Sequence, residues 1–167
     1  ASDFVIAHVP LVDARTSAPD FALALHELAL WSARNPGHLP LLVLLELKSD
    51  YAYLDPTLRA WDGDALARLD ATVASALGAR LLAPGELSPP DGEGRVTWPL
   101  IGALRGKIMV ALLEDETWRV QYERRYPDLA RRHLFTSAPG AAPATRFAIL
   151  DDPQADSASI AAARSRG

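Results

Sequence analysis

Cysteine is absent from the 167 residues, which excludes a disulfide framework and a thiolate metal site and leaves the redox compartment unread. Long apolar runs are absent as well. The longest, Leu39 to Leu45, is interrupted by Pro40 and falls far short of the roughly 18 residues a spanning helix needs. No transmembrane segment is therefore expected, and peripheral membrane contact stays open. Charge of one sign is not in excess either: the formal net charge is -4, with 23% charged residues of mixed sign. Such a chain has no field to attract a phosphate backbone, so nucleic acid is not an expected partner. The glycine fingerprints GxGxxG and GxxxxGK[ST] are missing from the strand-to-helix connections, which removes the nucleotide-binding readings. No aromatic cluster marks a membrane face; Trp31, Trp61, Trp98 and Trp118 read as core and interhelix packing. The chain opens on Ala1 without a charged and apolar leader, and we expect that something upstream has been removed.

What is present is a chain with 49% hydrophobic residues, enough for one respectable core. Residues 3–9, DFVIAHV, read as a buried strand ended by Pro10, with His8 near its end. Phe21, Leu25, Leu28 and Trp31 then recur at helical spacing, which predicts a helix over about 19–34, closed by Asn35, Pro36 and Gly37. LPLLVLLELK is a nearly continuous apolar run, the pattern of a parallel strand covered on both faces, and it leads into Glu46, Lys48 and Asp50. Leu66, Leu69, Val73 and Leu77 predict a second helix over 63–77 with Gly78 at its C-cap. Short strands are expected at 80–83, 133–137 and 146–150, and a buried one at KIMVALL. Helices are expected over 98–105, 116–131 (broken by Pro127) and 155–166.

This βαβαβ alternation predicts an α/β fold with a parallel sheet, and without nucleotide motifs the (β/α)8 TIM-barrel type is favoured over a doubly wound sheet. A complete barrel takes about 250 residues. Five or six βα units are visible here, so the expectation is a single partial barrel domain over 1–167, with N- and C-terminal units missing.

Functional groups of parallel α/β folds gather at the C-terminal ends of the strands, where His8 and Glu46 stand. Alternation places Phe4, Ile6 and His8 on one face, and Leu42, Leu44, Glu46 and Lys48 on one face of the next strand. Adjacent parallel strands would bring His8 and Glu46 to one rim. A carboxylate ending a leucine run needs a cation. Lys48, about 7 Å along the strand, is one candidate; a hard metal ion such as calcium is the other. His26 and His38 read as structural, and His133 lies at the wrong strand end for catalysis.

The segment from His8 to Asp50 carries His8-x-Pro10 with Asp13, then Trp31-Ser32 and Asn35-Pro36-Gly37-His38-x-Pro40, then Glu46-x-Lys48. This combination resembles the bacterial calcium-dependent phosphoinositide phospholipase C family. RLLAPGEL, WPLIGALRGKIMV, Tyr126-Pro127 before HLFTSAP, and the closing DDP keep the same order, so the resemblance covers nearly the whole chain. It implies that His8 is the second catalytic histidine, an acid or hydrogen-bond donor to the phosphate and the leaving diacylglycerol. Glu46 is implied as a calcium ligand that takes part in deprotonating the inositol 2-hydroxyl, with Lys48 near the phosphate. The reaction implied is calcium-dependent cleavage of phosphatidylinositol through a cyclic phosphate, outside the cytoplasm, in the extracellular space or periplasm.

The family's first histidine with its calcium-binding asparagine, and its Glu-x-Asp pair, have no counterpart here, nor has its arginine-bearing strand. The chain alone is therefore expected to be inactive. Ala18 stands where relatives often carry cysteine. The strand after Lys107 has no further lysines, which favours unphosphorylated phosphatidylinositol. Two other readings stay open: a non-catalytic descendant that binds lipid headgroups or a protein, and a glycerophosphodiester phosphodiesterase.

Overall fold

In the computed structural model the described residues are 3–9, 13, 15–48, 53, 56–88, 96–113, 116–137, 158, 160 and 161. They form three helices and three strands: α1 (Phe21–Arg34), β1 (Leu41–Leu45), α2 (Gly63–Leu77), β2 (Ile108–Leu112), α3 (Glu116–Glu123) and β3 (Phe135–Thr136). The strands make one parallel sheet in the order β1-β2-β3, with Leu41 opposite Ile108 and Ala111 opposite Phe135. The expected mixed α/β architecture with a parallel sheet is present. Among the described residues no helix is long and apolar enough to cross a membrane.

Local chemistry explains the boundaries. Asp20 caps α1 by accepting a hydrogen bond from the Leu23 amide at 3.0 Å, and Asp62 caps α2 through the Ala65 amide at 2.7 Å. Each satisfies an amide that the first helical turn leaves without a partner. Asn35 ends α1, its side-chain amide donating to the Trp31 carbonyl at 2.8 Å. Gly78 ends α2 at φ +52°, a conformation costly for any other residue.

The main core lies between the helices and one face of the sheet, where Phe21 and Leu25 of α1 and Leu66, Leu69 and Val73 of α2 meet Val110 and its neighbours on β2. A smaller cluster on the other face joins Leu82, Leu87 and Leu104 to Ala111 and Phe135, with Trp98 stacked on Phe135.

Several expectations need correction. Residues 3–9 are not a strand of the sheet. The segment makes isolated antiparallel bridges, Val5 with Asp20 and Val9 with Asp13. Its hydrogen bonds are local: the Ile6 amide donates to the Pro19 carbonyl at 3.0 Å, and the Phe21 amide to the Phe4 carbonyl at 3.2 Å. Phe4 is still anchored, stacked on Trp61 with ring centres 5.5 Å apart.

Nor is β1 covered on both faces. Leu42 and Leu44 are 50% and 44% exposed, because the helices cover only the Leu41, Val43 and Leu45 side. The strand expected at 80–83 contributes a single bridge, Leu81 with Ile108. The helix over 98–105 contracts to a 3-10 turn, Ile101–Leu104. The expected 116–131 helix ends at Glu123, before Pro127, since proline disfavours helical backbone in the residue ahead of it. The five or six expected strands reduce to three among the described residues. The strand at 146–150 lies outside them, as does the 155–166 helix except for Ala158, Ile160 and Ala161, which are helical.

The link between α1 and β1 is held by a buried hydroxyl. Ser32 Oγ lies 2.7 Å from His38 Nε2, donates to the Gly106 carbonyl at 3.3 Å and accepts from Arg80 Nη1 at 3.2 Å. Gly106 has φ +76°, and a Cβ there would stand 2.8 Å from the Pro36 carbonyl oxygen. This junction sets where β1 begins opposite β2, and so where Glu46 emerges.

Candidate active site

Because the sheet is parallel, the C-terminal ends of its strands share one edge. Glu46 follows the last residue of β1 on that edge. Its carboxylate is 60% exposed and lies 3.4 Å from Lys48 Nζ. Lys48, one of the two cations considered for Glu46, is thus within ion-pair distance of it. A pair this exposed contributes at most about 1 kcal/mol to stability, so the leucine run gains little from it.

A cavity of about 340 Å³ separates β1 from the 3–9 segment. One bank is Phe4, Val5, Ile6 and Ala7; the other is Val43, Leu44, Leu45, Glu46 and Leu47. Phe21, Leu25 and Leu28 of α1 form the floor, with Trp61 and Leu69. His8 follows Ala7 in the chain and is not among the lining residues, whereas Glu46 is. They are not on hydrogen-bonded neighbouring strands.

His8 is 72% exposed at its side chain and Asp13 58%, and His8 Nδ1 meets Asp13 Oδ2 at 2.8 Å. Paired backbone bonds join Val9 and Asp13: the Val9 amide donates to the Asp13 carbonyl at 3.1 Å, and the Asp13 amide donates to the Val9 carbonyl at 2.8 Å. The Asp13 carboxylate as partner of His8 is not among the expected site features; its signal in the sequence is its place five residues after the histidine.

Away from this edge, Asp70 on α2 accepts hydrogen bonds from the buried Tyr122 hydroxyl, from the His133 amide at 2.8 Å and from His133 Nδ1 at 2.8 Å. Burial, then the Asp70 charge and the hydrogen bond to it, push the Tyr122 phenol well above its ordinary range. The phenol stays protonated and donates. This hub ties α2, α3 and the start of β3 together, and His133 serves it as a structural group.

The donor set can be tested against a calcium ion. Six to eight oxygen ligands are required, and among the described residues no three His, Asp or Glu side chains gather where they could hold a metal. Glu46 offers one carboxylate, already engaged by an ammonium group. These residues by themselves do not make a calcium site.

A family model described as phosphoinositide phospholipase C, Ca2+-dependent, matches residues 2–167. The chain belongs to this family. Among solved structures, a calcium-dependent phosphoinositol-specific phospholipase C from Pseudomonas sp, a Gram-negative bacterium, is similar at 23% identity and TM-score 0.55, covering 71% of this chain and 40% of that one. A Ca+2-dependent phosphatidylinositol-specific phospholipase C from Streptomyces antibioticus is similar at 23% identity and TM-score 0.54, covering 75% of this chain and 46% of that one. At this identity the likeness is one of fold. The chain thus spans less than half the length of either phospholipase structure. No curated protein sequence matches it.

Proposed function

We propose that these residues are the central part of a calcium-dependent phospholipase C that cleaves phosphatidylinositol or a related phosphodiester outside the cytoplasm. The observation that carries the reading is the family match over residues 2–167, with Glu46 among the residues that line the cavity beside β1. In the proposed reaction the inositol 2-hydroxyl gives its proton to the Glu46 carboxylate, its oxygen bonds to phosphorus, and the bond from phosphorus to the diacylglycerol oxygen breaks. His8 Nε2–H gives its proton to that departing oxygen, and a cyclic inositol phosphate is the first product. A side chain placed to transfer a proton in this way accelerates such a step by about 10²- to 10⁴-fold. Lys48 lies beside the entering phosphate as a fixed positive charge.

Calcium, where bound, would supply charge for the phosphate and the attacking hydroxyl. Glu46 would be one of its ligands, and the others, with a first histidine, would come from flanking barrel units. The domain is in this reading a partial (β/α)8 barrel, and residues 1–167 alone turn over little substrate.

In the protein with its flanking sequence, His8→Ala should lower release of soluble inositol phosphate from phosphatidylinositol vesicles by about 10²-fold or more; an unchanged rate refutes the assignment. Calcium-dependent cleavage by residues 1–167 alone would refute the incomplete-site part. A second reading, a non-catalytic headgroup-binding descendant, is favoured by one observation: Lys48 holds the Glu46 carboxylate. Vesicle binding without product release in the flanked protein would select it.

A further inference from the structure

We infer that Asp13 is the positioning residue of His8: it holds Nδ1 and leaves Nε2 turned toward the reacting oxygen. The inference rests on the reading of His8 as the proton donor. An ionised carboxylate only accepts hydrogen bonds, so at 2.8 Å from Asp13 Oδ2 the Nδ1 atom must carry hydrogen. Which ring nitrogen is protonated is set by the bond the other makes. With Nδ1 committed, the neutral ring keeps Nε2 as a bare acceptor, and the protonated ring presents Nε2–H. That is the form a general acid needs, and the carboxylate fixes the orientation of the ring.

Comparison with the other histidines separates this pair from ordinary packing. His26 Nδ1 lies 2.8 Å from the Ala22 carbonyl within its own helix. His38 uses both nitrogens, on the Leu39 carbonyl and on Ser32. His133 also meets a carboxylate, but Asp70 is buried and already receives the Tyr122 hydroxyl and the His133 amide. Of the two histidine–carboxylate pairs among the described residues, His8–Asp13 is the one exposed on both sides. Its exposure means that it adds little to folding stability, whereas the Val9–Asp13 backbone clamp fixes the carboxylate where the ring requires it.

The prediction concerns tautomer as well as rate. In residues 1–167 at alkaline pH, where imidazole is neutral, ring-nitrogen NMR shifts should show His8 protonated at Nδ1, and Asp13→Ala should move the proton to Nε2 with the chain still folded. An Nε2–H tautomer in the parent, or no change in the variant, overturns the inference. In the flanked protein, Asp13→Ala should lower kcat about 10- to 100-fold with KM unchanged, and adding it to His8→Ala should cost nothing further. An unchanged kcat with an inactive His8→Ala variant overturns the role of Asp13 alone. Full activity of His8→Ala instead refutes the reading of His8, while the tautomer measurement still decides what Asp13 does to the ring.

Discussion

Replacing Gly106 by alanine should damage the edge-setting junction between β1 and β2 more than any local feature of the sequence suggests. Two costs combine. At φ +76° an L-residue is strained by about 1–2 kcal/mol. In addition, the new Cβ would stand 2.8 Å from the Pro36 carbonyl oxygen, which is backbone and cannot swing aside. Relief requires moving the 36–38 turn away from Gly106, at the expense of the Gly106 amide bond to the His38 carbonyl, now 3.0 Å. That bond is worth about 1 kcal/mol net. The expected loss is about 2–4 kcal/mol, a large part of the stability of a small domain. Gly102 is the control, since a Cβ there meets nothing within 4 Å and its φ is not positive. Gly102→Ala should be neutral or slightly stabilising. Urea unfolding followed by circular dichroism reads both midpoints. Amide exchange at Leu41, which donates to the Lys107 carbonyl at 3.1 Å, reports whether the start of β1 has loosened. A Gly106→Ala midpoint equal to that of Gly102→Ala would refute the reasoning, because it would mean that neither strain nor the Pro36 contact is felt.

The Tyr122–Asp70 hub predicts a pH dependence with a definite sign. The folded-state phenol is raised above its unfolded value near 10, so its contribution is complete below about pH 10 and is lost as pH climbs beyond it; Tyr122→Phe should be about 1–3 kcal/mol less stable at pH 8 and should lose less than the parent between about pH 8 and 11, and equal alkaline losses in the two proteins would refute this. With no other acidic or histidine side chains gathered around Glu46 among the described residues, titration calorimetry of residues 1–167 with calcium should find no saturable binding tighter than about 10⁻³ M, and a tighter site would show that ligands gather around it after all. Glu46→Gln should shift the unfolding midpoint by less than about 1 kcal/mol in free energy, and a larger loss would return Glu46 to a structural role.

The sequence by itself determined the parts that depend on neighbours along the chain. The period of Phe21, Leu25 and Leu28 with Asp20 ahead and Asn35 behind specifies α1, and Asp62 and Gly78 bracket α2 in the same way. Continuous apolar runs specified β1 and β2, and the motif from His8 to Lys48 specified the family that the match over residues 2–167 shows. Tertiary structure alone decided what those runs face. Leu42 and Leu44 have the same composition as buried strand residues, yet the helices cover only the other side of β1. Strand-forming residues 3–9 spend their hydrogen bonds on Pro19 and Phe21, since backbone pairing depends on which partner lies within reach. The same holds for the site: the strand ends named His8 and Glu46, but only the folded chain put a cavity beside Glu46, closed Asp13 onto the histidine and brought Lys48 to the glutamate. Hydrogen bonds and ion pairs form between groups brought within about 3–4 Å, and that proximity is set by the packing of whole elements.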